Sequence, residues 1–584
     1  MKENYKNDFS TFRNLLSSCK NHYKDSVAII YKDLNGVTIK KTYDEFVNDV
    51  IGTSNWIFDV VEKQRGKKIT VLSKNRYEYI VVLYACLCGA GVFTVIDFNA
   101  TIENALDTIH TLEIDVVIMD KEYELKLKGN EIQIDNSVKL FAMDDALEIP
   151  KFNVCCSESY EFEDCEADEL HLLVGTSGTT LQFQKYVMLS AKNILTNTYS
   201  MNTDYIVAPQ KVLLSLPLAH LYSIMANVIF PISHGDEIYI ANGVYEIEKD
   251  LIEYNPTTVA LVPLIAEGLL KKYKKLCIEN KETKLEDVYG KNFCELLIGG
   301  AMISEELLHG YNDMGINIVR AYGMTETATN ITVTKPISEE QDFKTVGYVM
   351  SCNEVKIVDN EILVKGNNVM MGYYQNPELT KETIVDGWLK TGDAGYLSED
   401  GKLYVTGRIK SIIVLSNGEN INPEEIESVF MAEECVDECV VFSVDDKTLN
   451  MVVYSEAYLK RQEELMMLIK NVNKTLPYSR QISCIQISET PLPKTSVGKV
   501  MRKSISAFCE KILIYNEMKE LIVDHLYKKE SIYITTDFKD ELGLSSLDMF
   551  SIWCELEKKY NRKIEKTDFM KCRCIVDIYN VIYE

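Results

Sequence analysis

Short apolar runs punctuate the first four hundred residues, each closed by a glycine, a proline or a polar residue. Examples are "DVVIMD" (115–120), "KVLLSLPL" (211–218), "TTVALVP" (257–263) and "CELLIGG" (294–300). Runs of this length and composition predict strands buried on both faces. The helical patterns between them predict a large α/β domain. "YIVVLYACLCGAGVFTVI" (79–96) carries no charge over eighteen residues, the lower edge of a membrane-spanning length. "CGAG" interrupts it and Asp97 closes it. The pattern therefore predicts a buried helix to about Gly89, a turn and a buried strand, with no membrane span.

Near residue 400 the texture changes. "DGKLYVTG" (400–407) predicts a hairpin strand. "NPEEIESVFMAE" (422–433) predicts a helix with Pro423 and acids in its first turn. A small α+β unit over about 411–505 follows. The last seventy-odd residues hold three amphipathic segments, "NEMKELIVDHLYKK", "SLDMFSIWCELEKKY" and "DFMKCRCIVDIYNVIYE". Their stripes predict a helical bundle.

Bulk properties narrow the partners. At 584 residues the chain exceeds one core. A net charge of −26 speaks against nucleic acid or an anionic membrane as the main partner. Sixteen cysteines are scattered, several in apolar runs (Cys86, Cys88, Cys294), as expected of reduced structural thiols in a cytoplasmic protein. "MKENYKNDFSTFRNLL" does not read as a secretory signal.

"TSGTT" comprises Thr176, Ser177, Gly178, Thr179 and Thr180. A turn of this kind points successive N–H groups inward to hold an anion, and its hydroxyls add donors. No Gly-Lys-Ser/Thr closes it, so it is not a Walker loop. Taken alone, it reads equally as a polar turn between a buried strand and a helix.

Four further motifs follow in order: "AYGMTET" (321–327), "KTGDAGYL" (390–397), "GRIKSIIVLSNGENINPEEIE" (407–427) and "LPKTSVGKVMRK" (492–503). With the loop, they resemble the adenylate-forming superfamily of acyl-CoA ligases, luciferases and peptide-synthetase adenylation domains, over roughly residues 20–505. The resemblance implies a large N-terminal subdomain (1–409) and a small mobile one (410–505). After "TSGTT" the family pattern is Gly, any residue, Pro, Lys, Gly, whereas this chain has "LQFQKY". With one residue inserted, Lys185 takes the place of the loop lysine.

Site residues follow from the resemblance. Lys499 would hold the carboxylate against the α-phosphate of ATP as acyl-AMP forms, since a placed ammonium serves both positioning and charge. Glu326 would bind Mg²⁺, Thr325 would reach the α-phosphate, and Tyr322, beside Gly323 and Met324, would stack on adenine. Asp393 would accept the ribose hydroxyls, supported by Arg408. Gly300 and Ala301, in "GGA", would line the adenylate. Lys410 falls at the family hinge, about which the small subdomain turns to bring in "SNGEN" (416–420). His220, in "PLAH", matches a position near the acyl pocket. "HLYSIMANVIF" (220–230) lacks the aspartate that pairs with an amino-acid ammonium, which suits an apolar carboxylic acid.

"ELGLSSLDMF" (541–550) resembles the attachment motif of acyl and peptidyl carrier proteins, with Ser545 replacing the usual aspartate. A carrier domain over 512–584 would hold 4′-phosphopantetheine on Ser546, whose place at a helix start suits a phosphate. The expectation is an ATP-dependent, AMP-forming acid–thiol ligase that activates a small or medium apolar acid, aryl or aliphatic, and loads its own carrier. It would need a phosphopantetheinyl transferase and downstream enzymes. The alternatives are a free acyl-CoA ligase whose tail is a docking module, and a non-catalytic carrier or scaffold with a degenerate loop.

Overall fold

The computed structural model describes residues 10–584 except 130–133, 145–153, 177–184, 206–209, 244–245, 302, 410–412, 416–419, 445–447, 478–479, 495–499, 501–505, 524–535, 540–541, 543, 545, 561–562 and 584. The backbone divides into two units, 1–405 and 406–584.

The apolar runs become strands. Val116–Met119, Lys211–Leu214, Thr258–Leu261 and Glu295–Ile298 are buried over most of their length. In the first unit they enter two sheets. The smaller has seven strands among the described residues. Its order is Gly372–Tyr373, Tyr186–Ser190, Leu170–Gly175, Val92–Val95, Lys68–Leu72, Val116–Met119 and Lys139–Ala142. The larger is parallel through Val27–Lys32, Glu237–Ile240, Lys211–Leu214, Thr258–Leu261, Glu295–Ile298 and Asn317–Met324. It turns antiparallel at Thr329–Val333. Helices cover these strands, as parallel sheets require. One is Tyr43–Val60, whose start is fixed by a capping box between Thr42 and Glu45.

The uncharged stretch behaves as its glycines predict. Helix Tyr77–Ala85 loosens into a π turn, Cys86–Ala90, in which Gly89 has φ 95°. The buried strand Val92–Val95 follows. No helix among the described residues is long and apolar enough to cross a membrane. The cysteines whose side chains are described form no disulfide. Cys86 and Cys88 are buried, but Cys294 is exposed, because it precedes its strand rather than joining it.

The second unit is built on the sheet Glu438–Phe442, Leu449–Tyr454 and Ile482–Ser488. Side chains alternate across it. Val441, Met451 and Val453 face helices Pro423–Met431 and Gln462–Asn473. Val440, Phe442, Val452 and Cys484 face helix Ser506–Val523.

That last helix also belongs to the terminal bundle. One side is pinned to the sheet: Asn516 donates to Thr448 Oγ1 at 3.1 Å and to Asn450 Oδ1 at 3.3 Å, and Lys519 donates to Ser483 Oγ. The other side meets the bundle. Glu517 accepts from the Tyr560 hydroxyl, and the Tyr515 and Tyr579 rings lie 5.0 Å apart. One core cluster runs from the sheet through Ile512, Met518 and Ile522 to Ile552, Leu556, Ile575 and Ile578. The helix therefore crosses the interval 505–512 at which the sequence pattern separates bundle from small subdomain. The third predicted segment is two helices, Lys566–Phe569 and Ile575–Tyr583.

Candidate active site

The loop 176–185 joins two antiparallel strands, Leu170–Gly175 and Tyr186–Ser190, rather than a strand and a helix. Gly175 pairs with Tyr186, and the Thr176 N–H donates to the Lys185 carbonyl at 2.8 Å. Ser177, Gly178, Thr179 and Thr180 lie outside the described residues. The Lys185 ammonium stands 5.1 Å from the centroid of the Tyr373 ring. It makes no ion pair among the described residues.

Glu326 sits in the 3₁₀ turn Thr325–Thr327, between strands Asn317–Met324 and Thr329–Val333. The turn is tight. A Cβ on Gly323 would lie 1.5 Å from the Thr329 carbonyl oxygen, so glycine alone fits there. Ala328 and Thr329 have φ of 49° and 91°, a costly conformation for a β-branched residue. Two buried asparagines hold the turn in place. Asn197 donates to the carbonyls of Thr327 and Asn330 at 3.3 and 2.7 Å. Asn368 donates to the Thr327 carbonyl at 3.0 Å. The Glu326 side chain is buried, and its Oε1 accepts from the Tyr373 hydroxyl at 2.8 Å. Its carbonyl accepts from the Met370 N–H at 2.9 Å. Sequence reasoning missed Tyr373, Asn197 and Asn368. The only signal for the two asparagines was an amide inside a helical or turn-forming stretch, and Tyr373 had none.

Tyr322 and Asp393 come together: the Tyr322 hydroxyl donates to Asp393 Oδ2 at 2.7 Å. Asp393 is buried in the strand Trp388–Leu397, and its N–H donates to Thr391 Oγ1. Gly300 and Ala301 follow the strand Glu295–Ile298, with Gly300 at φ 81°. A Cβ on neighbouring Gly299 would lie 3.3 Å from the Tyr222 ring and 3.5 Å from the Ala321 carbonyl oxygen.

Tyr222 and Ala321 also line a narrow cavity of about 10 Å³, room for about one water, with Met225, Phe230, Val319 and Asn330. None of its lining residues is charged. A π turn, Met225–Ile229, forms part of the wall, a distortion frequent at functional sites. His220 begins the helix Leu221–Ile224 but is not among the lining residues. Burial pushes its imidazole pKa below the ordinary value, against the pull of Asp97.

The remaining predicted residues belong to the second unit. Arg408 ends the strand Lys402–Arg408 and is exposed. Lys410 and Lys499 lie outside the described residues, although an antiparallel bridge between Lys494 and Val500 brackets the segment carrying Lys499. Ser546 is the first residue of helix Ser546–Tyr560.

Comparison with known proteins places this arrangement. Residues 16–374 match the AMP-binding enzyme family, 410–518 its C-terminal domain, and 516–582 the phosphopantetheine attachment site. The chain belongs to the AMP-binding enzymes, as an AMP-forming acid–thiol ligase joined to a carrier domain. It is 27% identical over 455 residues to a 2-succinylbenzoate–CoA ligase of Oceanobacillus iheyensis, covering 76% of this chain and 89% of that one. Among solved structures it resembles the O-succinylbenzoate coenzyme A synthetase of Bacillus subtilis in complex with ATP and magnesium ion. That match has 22% identity and a TM-score of 0.69, over 84% of this chain and 98% of that one. It also resembles the McyG A-PCP complexed with phenylalanyl-adenylate, at 19% identity and a TM-score of 0.71 over 98% of each chain. At these identities the structures bear on the fold alone.

Proposed function

We propose that this enzyme uses ATP to activate a small or medium apolar carboxylic acid, aryl or aliphatic, and loads it onto its own carrier domain. The carboxylate oxygen attacks the α-phosphorus, the bond to the bridging oxygen breaks, and pyrophosphate leaves with that electron pair. The observation that supports the acid class is the uncharged lining of the small cavity beside Gly299, which would have to widen from about 10 Å³ to admit an acyl group. An ammonium or a second carboxylate on the acid would enter it unpaired, at a cost of several kcal/mol.

The chain's own residues fit the nucleotide. Glu326 keeps one carboxylate oxygen free of hydrogen bonds among the described residues, and one carboxylate with phosphate oxygens and waters is a common set for Mg²⁺. A divalent ion there would neutralise phosphate charge. Asp393, oriented by Tyr322, suits the ribose hydroxyls. Tyr322 also offers a ring to adenine, Thr325 reaches the α-phosphate, and Gly300 and Ala301 border the adenylate. By the family resemblance, Lys185 would serve the outer phosphates, Lys499 would act on the reacting ones and Lys410 would mark the hinge. His220 would stand near the acyl pocket, as the family resemblance implies. A phosphopantetheine arm on Ser546 supplies the thiol whose sulfur replaces AMP on the acyl carbon.

The test is mass spectrometry of the full chain coexpressed with a phosphopantetheinyl transferase. The arm's mass should appear and should be absent from Ser546→Ala. Given ATP and a panel of acids, the modified chain should gain an acyl mass that hydroxylamine removes. A second reading, a ligase using free coenzyme A, is favoured by Ser545 in place of the usual aspartate and by the 27% identity to a named CoA ligase. It prevails if several transferases leave Ser546 unmodified while free coenzyme A is turned over.

A further inference from the structure

Two oppositely charged side chains rest on one tyrosine. The Lys185 ammonium lies over the ring of Tyr373, 5.1 Å from its centroid, and the Tyr373 hydroxyl donates to Glu326 Oε1 at 2.8 Å. These groups reach Tyr373 from different places. Lys185 precedes the strand Tyr186–Ser190, and Tyr373 pairs with Val187 of that strand. Glu326 comes from the larger sheet, on its strained turn.

Tyr373 is itself firmly placed. It is buried, and its N–H donates to Thr380 Oγ1 at 2.9 Å. Gly372 before it has φ 143°, and a Cβ there would meet Thr380 Cγ2 at 2.7 Å. Lys185 and Glu326 make no ion pair with each other or with any other described residue. An ammonium and a buried carboxylate left unpaired so near a common partner are held apart by something. The ring gives the ammonium a face to rest on. The hydroxyl gives the carboxylate a donor without neutralising it. Donation to an anion also enriches the ring in electrons, which strengthens its hold on the cation.

We propose that Tyr373 is a positioning residue for metal-bound ATP. It keeps Glu326 oriented and open at its second oxygen, and it keeps Lys185 from collapsing onto that carboxylate. The proposal rests on the reading of Glu326 and Lys185 as nucleotide-handling groups. A buried tyrosine that merely satisfies its hydroxyl would share the hydrogen bond, but not the consequence for metal-bound nucleotide.

The experiment is calorimetric binding of ATP to the full chain, with magnesium and separately in excess EDTA. Tyr373→Phe keeps the ring and removes the donor. It should weaken binding of magnesium-bound ATP about tenfold, the size of one hydrogen bond to a charged group, while metal-free binding holds. Tyr373→Leu removes the ring as well. It should also weaken metal-free binding, and adding Lys185→Met should then cost little more. Glu326→Gln is the control and should lose the magnesium-dependent part. If Tyr373→Phe binds like wild type in both conditions while Glu326→Gln loses the metal dependence, the positioning role is overturned and the site stands. Equal losses with and without metal in Tyr373→Phe also overturn it. If Glu326→Gln changes nothing, the reading of the site fails, and the role of Tyr373 with it. Should the Phe variant fold poorly by circular dichroism, the Leu variant's coupling to Lys185→Met decides: additive losses overturn the proposal.

Discussion

The Tyr322 hydroxyl donates a hydrogen bond to Asp393 Oδ2 across 2.7 Å, joining two motifs seventy-one residues apart. The bond fixes which way the carboxylate faces. Tyr322→Phe should raise the KM for ATP about tenfold and change kcat little, since a hydrogen bond to a charged group contributes about 1.5–3 kcal/mol. Asp393→Asn should raise it further. Pyrophosphate-release kinetics check both. A fall in kcat with KM unchanged in Tyr322→Phe would place the pair in the chemistry rather than in sugar binding.

Lys499→Ala should abolish adenylation yet spare acyl transfer from supplied acyl-AMP. Removing one charge-stabilising contact costs on the order of 10²–10³ in rate. Separate assays of the two half-reactions read this out. Parallel losses in both would argue against a lysine that acts in one domain arrangement only.

Met225 is wholly buried and lines the cavity. Met225→Ala should deepen it and shift kcat/KM toward longer acids, by several-fold per added methylene at about 0.8 kcal/mol each. The same change should cost about 2–5 kcal/mol of stability, measurable by denaturant titration. An unchanged acid profile would mean that the acyl group lies elsewhere.

Asp342 provides a pH signature. Burial alone would raise its pKa, but the Ser338 N–H and the Lys402 ammonium bring it down to about 2. A carboxyl depressed in the folded state adds stability that is present above its unfolded value, near pH 4, and is lost as pH falls toward 2. Asp342→Asn should therefore lower the denaturant midpoint at neutral pH and flatten its decline through that acid window. An acid limb as steep as that of wild type would remove Asp342 from the account.

Much of this was legible in the chain. "DVVIMD" and "TTVALVP" became buried strands because short apolar runs closed by polar residues have few other uses. Gly89 broke its helix where its freedom to take positive φ predicts. Tyr373 was not legible: its partner Glu326 is 47 residues away, and nothing local marks "GYY" as more than a strand edge. The same holds for Asn197 and Asn368, which read as helix and turn residues until the fold aims both amides at one turn. Helix Ser506–Val523 was placed too late, because "SISAF" is a weak helix start on propensity alone.

Helix Ser506–Val523 also changes the arithmetic of delivery. A carrier on a flexible leash searches a volume, and linker length sets its local concentration at a target. Here a rod of about 27 Å is gripped by the sheet on one side and the bundle on the other. The bundle's bearing relative to that sheet is set by packing, so whatever Ser546 carries turns whenever the sheet turns. Under the proposed loading, delivery would follow the angle of that packed helix rather than the odds of a tethered encounter. Lengthening the connection would loosen a crank rather than extend a reach.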